Sequence, residues 1–296
     1  MKPFNFVKPD DQEAVIAALA AHSPNVRILA GGTDYLVELK HVSQSPGTIV
    51  DVSQIAELKG IEETEDGLRI GAGVTHSAIM ADPLIEKHVP AMIHAAHTIG
   101  AVQTRNLGTL GGNLVTCVPS MDSGPTLVAL DAEVTVAGPD GSRRMPLTEF
   151  FVGPRKTILA PHELLMDVII PKRNLGKPTN FYKFGLRKGQ ALALVNAASS
   201  LWVEDGKFKD VRISLGAVSP VVVRAPKAEA ALEGKPVSDD LISEAGKIAI
   251  TECNPIDDFR ASLDYRKDLI DVLTRRTLQA AVEIAAQKQK RKKQWT

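Results

Sequence analysis

Apolar residues in this chain recur at helical spacing in some blocks and in short strand-length runs in others. Gly, Pro, Asp and Asn punctuate the changes. Residues 10–21 place Val15, Ile16 and Leu19 on one face, and Asp10 with Glu13 makes a capping box, which predicts a helix. A short strand at 27–30 runs straight into Gly31-Gly32-Thr33-Asp34. A second helix is expected over 35–41 and another strand over 48–52. The runs 61–64 and 68–73 flank Glu65-Asp66-Gly67, an Asp-Gly hairpin signal. Thr75 is placed to cap a short helix that His76 begins, and 90–98 reads as a longer helix. Residues 104–113 are too rich in glycine for a regular element. The segment 127–137 passes from helix to strand, Pro139-Asp140-Gly141 turns the chain back, and the apolar run 164–170 is a strand stopped by Pro171.

Residues 172–180 are polar and contain Gly176 and Pro178, the pattern of a linker. Beyond it, 181–186, 192–203 and 211–218 predict three strands, the last two turning around Glu204-Asp205-Gly206. Helices are expected at 239–251 and 264–287, the last aligning Leu269, Val272, Leu273, Ala280 and Ile284. No repeat of 20–50 residues is apparent.

Composition narrows the function classes. Lys+Arg and Asp+Glu both number 35, so the whole chain lacks the basic excess of a nucleic-acid or membrane-surface binder. Five positive charges (Lys288, Lys290, Arg291, Lys292, Lys293) sit in the last nine residues, leaving 30 against 35 in the body. This tail, 288–296, reads either as a solvated, frayed helix end or as a docking segment. Aromatics at 4% argue against base-stacking platforms. Cys117 and Cys253 are too few for a disulfide framework or a cysteine-ligated cluster within the chain. No apolar run approaches a membrane span, and residues 1–9 lack a signal-peptide core, so a cytoplasmic protein is expected.

Two segments carry candidate chemistry: Ala30-Gly31-Gly32-Thr33-Asp34 and Thr109-Leu110-Gly111-Gly112-Asn113. Adjacent glycines let a backbone approach a ligand and present several N–H groups, which suits a pyrophosphate, and Thr33 and Thr109 add hydroxyl donors. Together they suggest one dinucleotide held between two loops. Neither is a P-loop, since no Gly-Lys-Ser/Thr follows. Gly71-Ala72-Gly73 lacks the third glycine of a Rossmann fingerprint. His94 and His97 lie three apart on a predicted helix without a third ligand, His162-Glu163 does not complete HExxH, and no metal site is expected.

With Ile70-Gly71-Ala72-Gly73-Val74-Thr75, Arg105 to Asn113, Leu130-Asp131-Ala132-Glu133-Val134, Tyr182-Lys183 with Arg187, and Tyr265-Arg266, these segments resemble the FAD-binding medium subunits of molybdenum hydroxylases. This is the xanthine dehydrogenase and carbon monoxide dehydrogenase group. The resemblance covers nearly the whole chain. It implies an α+β fold: a two-lobed FAD domain of the vanillyl-alcohol-oxidase (PCMH) type over 1–175, with lobes of about 1–58 and 59–175. A smaller α+β domain over 176–287, with a three-stranded sheet and helices, would follow. It implies that Leu29, Ala30, Gly31, Gly32, Thr33 and Asp34, with Thr109, Gly111, Gly112 and Asn113, wrap the FAD pyrophosphate. By the same resemblance Thr116 lies beside the phosphates and Asp122 contacts the adenosine ribose. Ile99, Leu165 and Lys183 lie near the flavin or adenine. Cys117 stands where relatives often carry Ala or His.

The implied activity is electron transfer rather than acid–base catalysis. Electrons would come from two [2Fe–2S] clusters on a small partner subunit, supplied by a large molybdenum-cofactor subunit, and leave to a small-molecule or protein acceptor. The implied assembly is a dimer of heterotrimers. No inserted Cys-rich loop for a [4Fe–4S] cluster is present. A self-sufficient flavin oxidase or reductase on the same fold, and a flavin-free scaffold subunit, are the alternative readings.

Overall fold

The computed structural model describes residues 2–41 and 43–294, with side chains through residue 290. The chain opens on three parallel strands. β1 (Asn5–Val7) and β2 (Val26–Leu29) flank β3 (Thr48–Asp51). The crossovers carry α1 (Gln12–His22) and α2 (Tyr35–Leu39), as parallel pairing requires. Asp11, not Asp10, caps α1, its Oδ1 accepting from the Ala14 N–H at 2.8 Å, because the helix starts later than its apolar pattern implies.

The second sheet is antiparallel. The expected hairpin supplies β4 (Ile61–Glu63) and β5 (Gly67–Gly71). Six helices follow: α3 (His76–Ala81), α4 (Pro83–His88), α5 (Ala91–His97), α6 (Val102–Leu107), α7 (Leu110–Thr116) and α8 (Ser123–Ala129). Then come β6 (Glu133–Gly138), β7 (Gly141–Pro146), α9 (Leu147–Phe150), the small ribbon of β8 (Phe151–Gly153) and β9 (Lys156–Thr157), and β10 (Leu164–Pro171). The sheet order is β4-β5-β10-β6-β7. Every residue of central β10 is buried, which is why its sequence is apolar on both faces except for Asp167, which pairs with Arg69 of β5.

The glycine-rich stretch 104–113 is the clearest correction to the sequence reading, since it forms parts of two helices, α6 and α7. Glycine propagates helix poorly. Here tertiary bonds compensate: the Leu110 and Gly111 N–H groups donate to the carbonyls of Val74 and Ala72 at 2.9 and 2.8 Å.

The third sheet, β11 (Thr179–Gly185), β12 (Ala193–Glu204), β13 (Lys207–Gly216) and β14 (Val223–Arg224), adds a two-residue edge strand to the three long strands expected. It packs on α10 (Pro226–Leu232), α11 (Asp239–Thr251) and α12 (Leu263–Gln294) around a separate apolar core. Helix α12 outruns its expected end at 287. Lys288 Nζ bonds the Gly176 carbonyl and Gln289 Nε2 the Val203 carbonyl, so the start of the basic tail is docked rather than frayed. The side chains of Arg291, Lys292 and Lys293, and residues 295 and 296, lie outside the described residues. Among the described residues no helix is long and apolar enough to cross a membrane.

Two features join the sheets. Helix α8 is buried at every position and packs against α5 on one side and β11, β12 and β13 on the other. The expected linker is built into this seam: Asn174 Nδ2 donates to the Leu130 carbonyl at 2.8 Å, and the fully buried Lys177 ammonium pairs with Asp210 at 2.8 Å. Burial pushes the Lys177 pKa down while Asp210 holds it up. Removing one charge of such a pair leaves the other desolvated. Asp210→Asn keeps the shape and the left-handed backbone at this position (φ 49°). It is expected to destabilise the protein by about 2 kcal/mol, less than for a wholly buried pair because Asp210 retains solvent access. Urea denaturation measures it.

Candidate functional site

A cavity of about 370 Å³ lies where the parallel sheet, the antiparallel sheet and the third sheet converge. Its walls come from the β2–α2 loop, the β5–α3 junction, the α5–α6 turn, helix α7, residues 118–122, the start of β10 and residues 190–192. Both glycine segments are in this wall, so the structure brings together loops about 80 residues apart in sequence.

Close backbone contact assembles it. A Cβ on Gly31 would stand 1.8 Å from the Leu107 carbonyl oxygen, so the first loop rests directly on the chain entering the second. A Cβ on Gly111 would meet the Ala72 Cβ at 2.6 Å and its carbonyl oxygen at 2.8 Å, so α7 rests directly on the end of β5. These glycines are needed for protein–protein packing, a different reason from the ligand approach that their spacing suggests.

The two loops also differ in their N–H groups. In the second, Leu110 and Gly111 donate to Val74 and Ala72, Gly112 donates to the capping Thr109 Oγ1 at 3.0 Å, and Asn113 donates to the Thr109 carbonyl at 3.0 Å. Its amides are therefore already satisfied, contrary to the expectation that both loops present theirs. In the first, the N–H groups of Gly32, Thr33 and Asp34 have no hydrogen-bond partner among the described residues. Available donors thus concentrate on one side of the cavity.

Of the anticipated site residues, Ala30, Gly31, Gly32, Thr33, Asp34, Ile99, Thr109, Gly111, Gly112, Asn113, Thr116, Asp122 and Leu165 line the cavity; Leu29 and Lys183 do not. Leu29 ends β2, where its carbonyl accepts from Val52. Lys183, on β11, stands behind the wall, its Nζ 2.5 Å from Asp122 Oδ2 and 3.0 Å from the Thr98 carbonyl. Asn196 Nδ2 donates to the other oxygen of Asp122 at 2.9 Å. Burial pushes the Asp122 carboxyl up, against the pull of Lys183 and Asn196. The Thr116 hydroxyl donates to the Gly112 carbonyl at 2.7 Å.

The structure adds residues that the sequence did not single out for the site. Tyr35 and His76 line the cavity, and Tyr35 Oη, His76 Nδ1 and Asn113 Oδ1 are buried without a partner in the protein. Buried polar atoms rarely stay unsatisfied, and three of them belong to residues of this one wall. Tyr35 directly follows the first loop and was within reach of the sequence argument. Gln190, Ala191 and Leu192 were not, since only the third sheet carries them here, with the Gln190 N–H bonded to Gly100 at 3.2 Å. Apolar surface from Ile28, Val52, Leu58 and Leu164 completes the wall. Leu164 and Leu165 both reach it where β10 bulges against β6.

Two outcomes follow. Gly31→Ala must displace the Leu107 carbonyl and is expected to cost about 2 kcal/mol or more in chemical denaturation. His76 is 2% exposed, and burial, with Arg105 nearby, lowers its pKa from 6.5 to about 4. Between those values the unfolded chain binds a proton that the folded chain does not. Stability of the ligand-free protein should therefore fall as pH drops from 6.5 towards 4, by about 3 kcal/mol from this group. His76→Gln should flatten that slope in urea titrations across the window.

Residues 2–173 match the model of the FAD binding domain in molybdopterin dehydrogenase, and residues 180–281 match that of the CO dehydrogenase flavoprotein C-terminal domain. The xanthine dehydrogenase FAD-binding subunit of Escherichia coli O157:H7 is 31% identical over 91% of this chain and 93% of its own. The nicotine 6-hydroxylase medium subunit of Paenarthrobacter nicotinovorans is 34% identical over 85% and 88%. Among solved structures, a chain of carbon monoxide dehydrogenase from Hydrogenophaga pseudoflava superposes with a TM-score of 0.92 at 29% identity, covering 96% of this chain and 98% of that one. The chain belongs to the FAD-binding subunits of the molybdenum hydroxylase family, the group of xanthine and carbon monoxide dehydrogenases.

Proposed function

We propose that this chain is the FAD-carrying electron-transfer subunit of a cytoplasmic molybdenum-cofactor hydroxylase. It accepts electrons from [2Fe–2S] clusters on a small partner subunit and delivers them to a small-molecule or protein acceptor. A large partner subunit carries the molybdenum cofactor and the substrate site, and the assembly is a dimer of heterotrimers. Residues 1–175 form the cofactor-binding part and 176–287 the C-terminal part. When bound, FAD supplies the redox chemistry that side chains lack.

The observation that carries this reading is the cavity between the two glycine loops, in a chain of this family. Its residues fit a dinucleotide. The unpartnered N–H groups of Gly32, Thr33 and Asp34 suit a pyrophosphate, and Tyr35, His76 and Asn113 add polar side chains to the wall. Asp122, held in place by Lys183 and Asn196, is a carboxylate suited to ribose hydroxyls. Ile99 and Leu165 offer apolar surface to a flat ring. The chain's own work is to bind and orient the cofactor and to exclude water from it.

Gly112 lines the cavity, and a Cβ there meets only the Thr109 hydroxyl within 4 Å, at 2.9 Å. Gly112→Asp puts a negatively charged side chain into the cavity meant for an anionic dinucleotide. The variant complex, purified with its partner subunits, should lose FAD on extraction and lose reduction of the physiological acceptor. It should keep substrate oxidation by an artificial dye that draws electrons from the partner subunits. Retained flavin and acceptor reduction would contradict the reading, as would a wild-type complex without flavin.

A further inference from the structure

His76 sits at the seam of the two loops. Its backbone N–H donates to the Gly108 carbonyl at 3.0 Å, and Thr75 bridges to Thr109, so the start of α3 is fixed to the second loop. A Cβ on Gly108 would stand 3.4 Å from Thr33 Oγ1 and 3.5 Å from His76 Cδ2, so Gly108 of the second segment lies between the first loop and the imidazole. The ring lines the cavity, is 2% exposed, and leaves Nδ1 without a partner. The Ser77 hydroxyl bonds Asn106 at 2.5 Å, a second tie from this turn to α6.

The charges around the cavity make this ring distinctive. The acidic side chains of the wall are Asp34 and Asp122, and His76 is the one basic side chain among the described lining residues. Lys183 is held by Asp122 behind the wall, and the Arg105 guanidinium is turned onto the carbonyls of His97 and Ile99. An anionic diphosphate entering this cavity finds N–H groups, hydroxyls and a single titratable base.

Resting on the FAD reading above, we propose that His76 meets the diphosphate of FAD and takes up a proton when it does so. The empty site then holds a neutral imidazole and the loaded site an imidazolium, and FAD binding is linked to proton uptake. The groups facing the ring account for both states. In the ligand-free protein, burial and the Arg105 charge from α6 disfavour the charged ring. The titratable residues of the other helices packed on α3 turn elsewhere: Glu86, Lys87, His94 and His97 are exposed, and His88 pairs with Glu63 at 2.6 Å. Of the carboxylates that share the cavity with the ring, Asp122 is bonded by Lys183 and Asn196 and Asp34 is exposed, while Gly108 of the second segment lies against the ring. The anion that reverses the balance comes with the ligand, since an opposite charge favours the charged form.

The test is calorimetric. The assembled complex is stripped of flavin and titrated with FAD at pH 7 in two buffers of different ionisation enthalpy. Wild type should take up a substantial fraction of a proton per FAD bound, and its affinity should fall as pH rises from 7 to 8. His76→Gln, which keeps a neutral donor, should abolish the uptake and weaken FAD binding about 10- to 100-fold, as expected for a lost charge-assisted hydrogen bond. Wild-type binding without proton uptake would overturn the proposal, as would His76→Gln binding with wild-type affinity. The wild-type measurement needs no variant, so a misfolded His76→Gln still leaves the proposal decided. A wild-type complex that binds no FAD would instead remove the reading on which the proposal rests.

Discussion

The contact on which this structure depends most is the meeting of Gly31 with the Leu107 carbonyl, at a distance no side chain tolerates. It fixes the parallel sheet, through the loop leaving β2, to the helices that follow β5. The contact of Gly111 with Ala72 fixes those helices to the antiparallel sheet. Neither contact holds a ligand. Their result is a wall in which one loop has its amides satisfied by the protein and the other leaves them available. The cavity is a consequence of how three backbone segments pack, and its polarity follows from which amides that packing satisfies.

The third sheet takes part in the site through helix α8. Asp122 stands at the N-terminal end of this wholly buried helix, and its two oxygens are bonded by Lys183 of β11 and Asn196 of β12. The carboxylate in the cavity wall is thus oriented by residues more than 60 positions later in the chain. Ser200 of β12 bonds the Ala129 carbonyl at the other end of α8, and Arg212 of β13 pairs with Asp131 just beyond it. Loosening this seam would disturb the ribose side of the proposed FAD site without touching the glycine loops.

Sequence reading succeeds here where the physics is local. The Asp-Gly hairpin, the Thr75 cap and the buried run of β10 each depend on a few adjacent residues, and each is found. Both glycine segments reach one cavity, as their composition suggested. The reading fails where tertiary bonds decide. Helix α7 exists because Ala72 and Val74 accept its first amides, and local propensity contains no trace of them. Residues 172–180, polar with Gly176 and Pro178, do lie between the two matched domains, but the burial of Lys177 against Asp210 of a distant strand has no local signal. Gln190 to Leu192 join the site with no signal of their own, and His76, read only as the start of a helix, is distinguished by what surrounds it.

One asymmetry decides the proposed site: the amides of Gly32, Thr33 and Asp34 have no partner among the described residues, while those of 110–113 are bonded within the protein. Amide hydrogen exchange on the assembled complex, flavin-free and refilled with FAD, tests it directly. FAD is expected to slow exchange at Gly32, Thr33 and Asp34. The amides of Leu110, Gly111, Gly112 and Asn113, already bonded within the protein, should be protected before FAD is added and change little afterwards. Exchange at residues 32–34 that is indifferent to FAD, with new protection confined to residues 110–113, would contradict it.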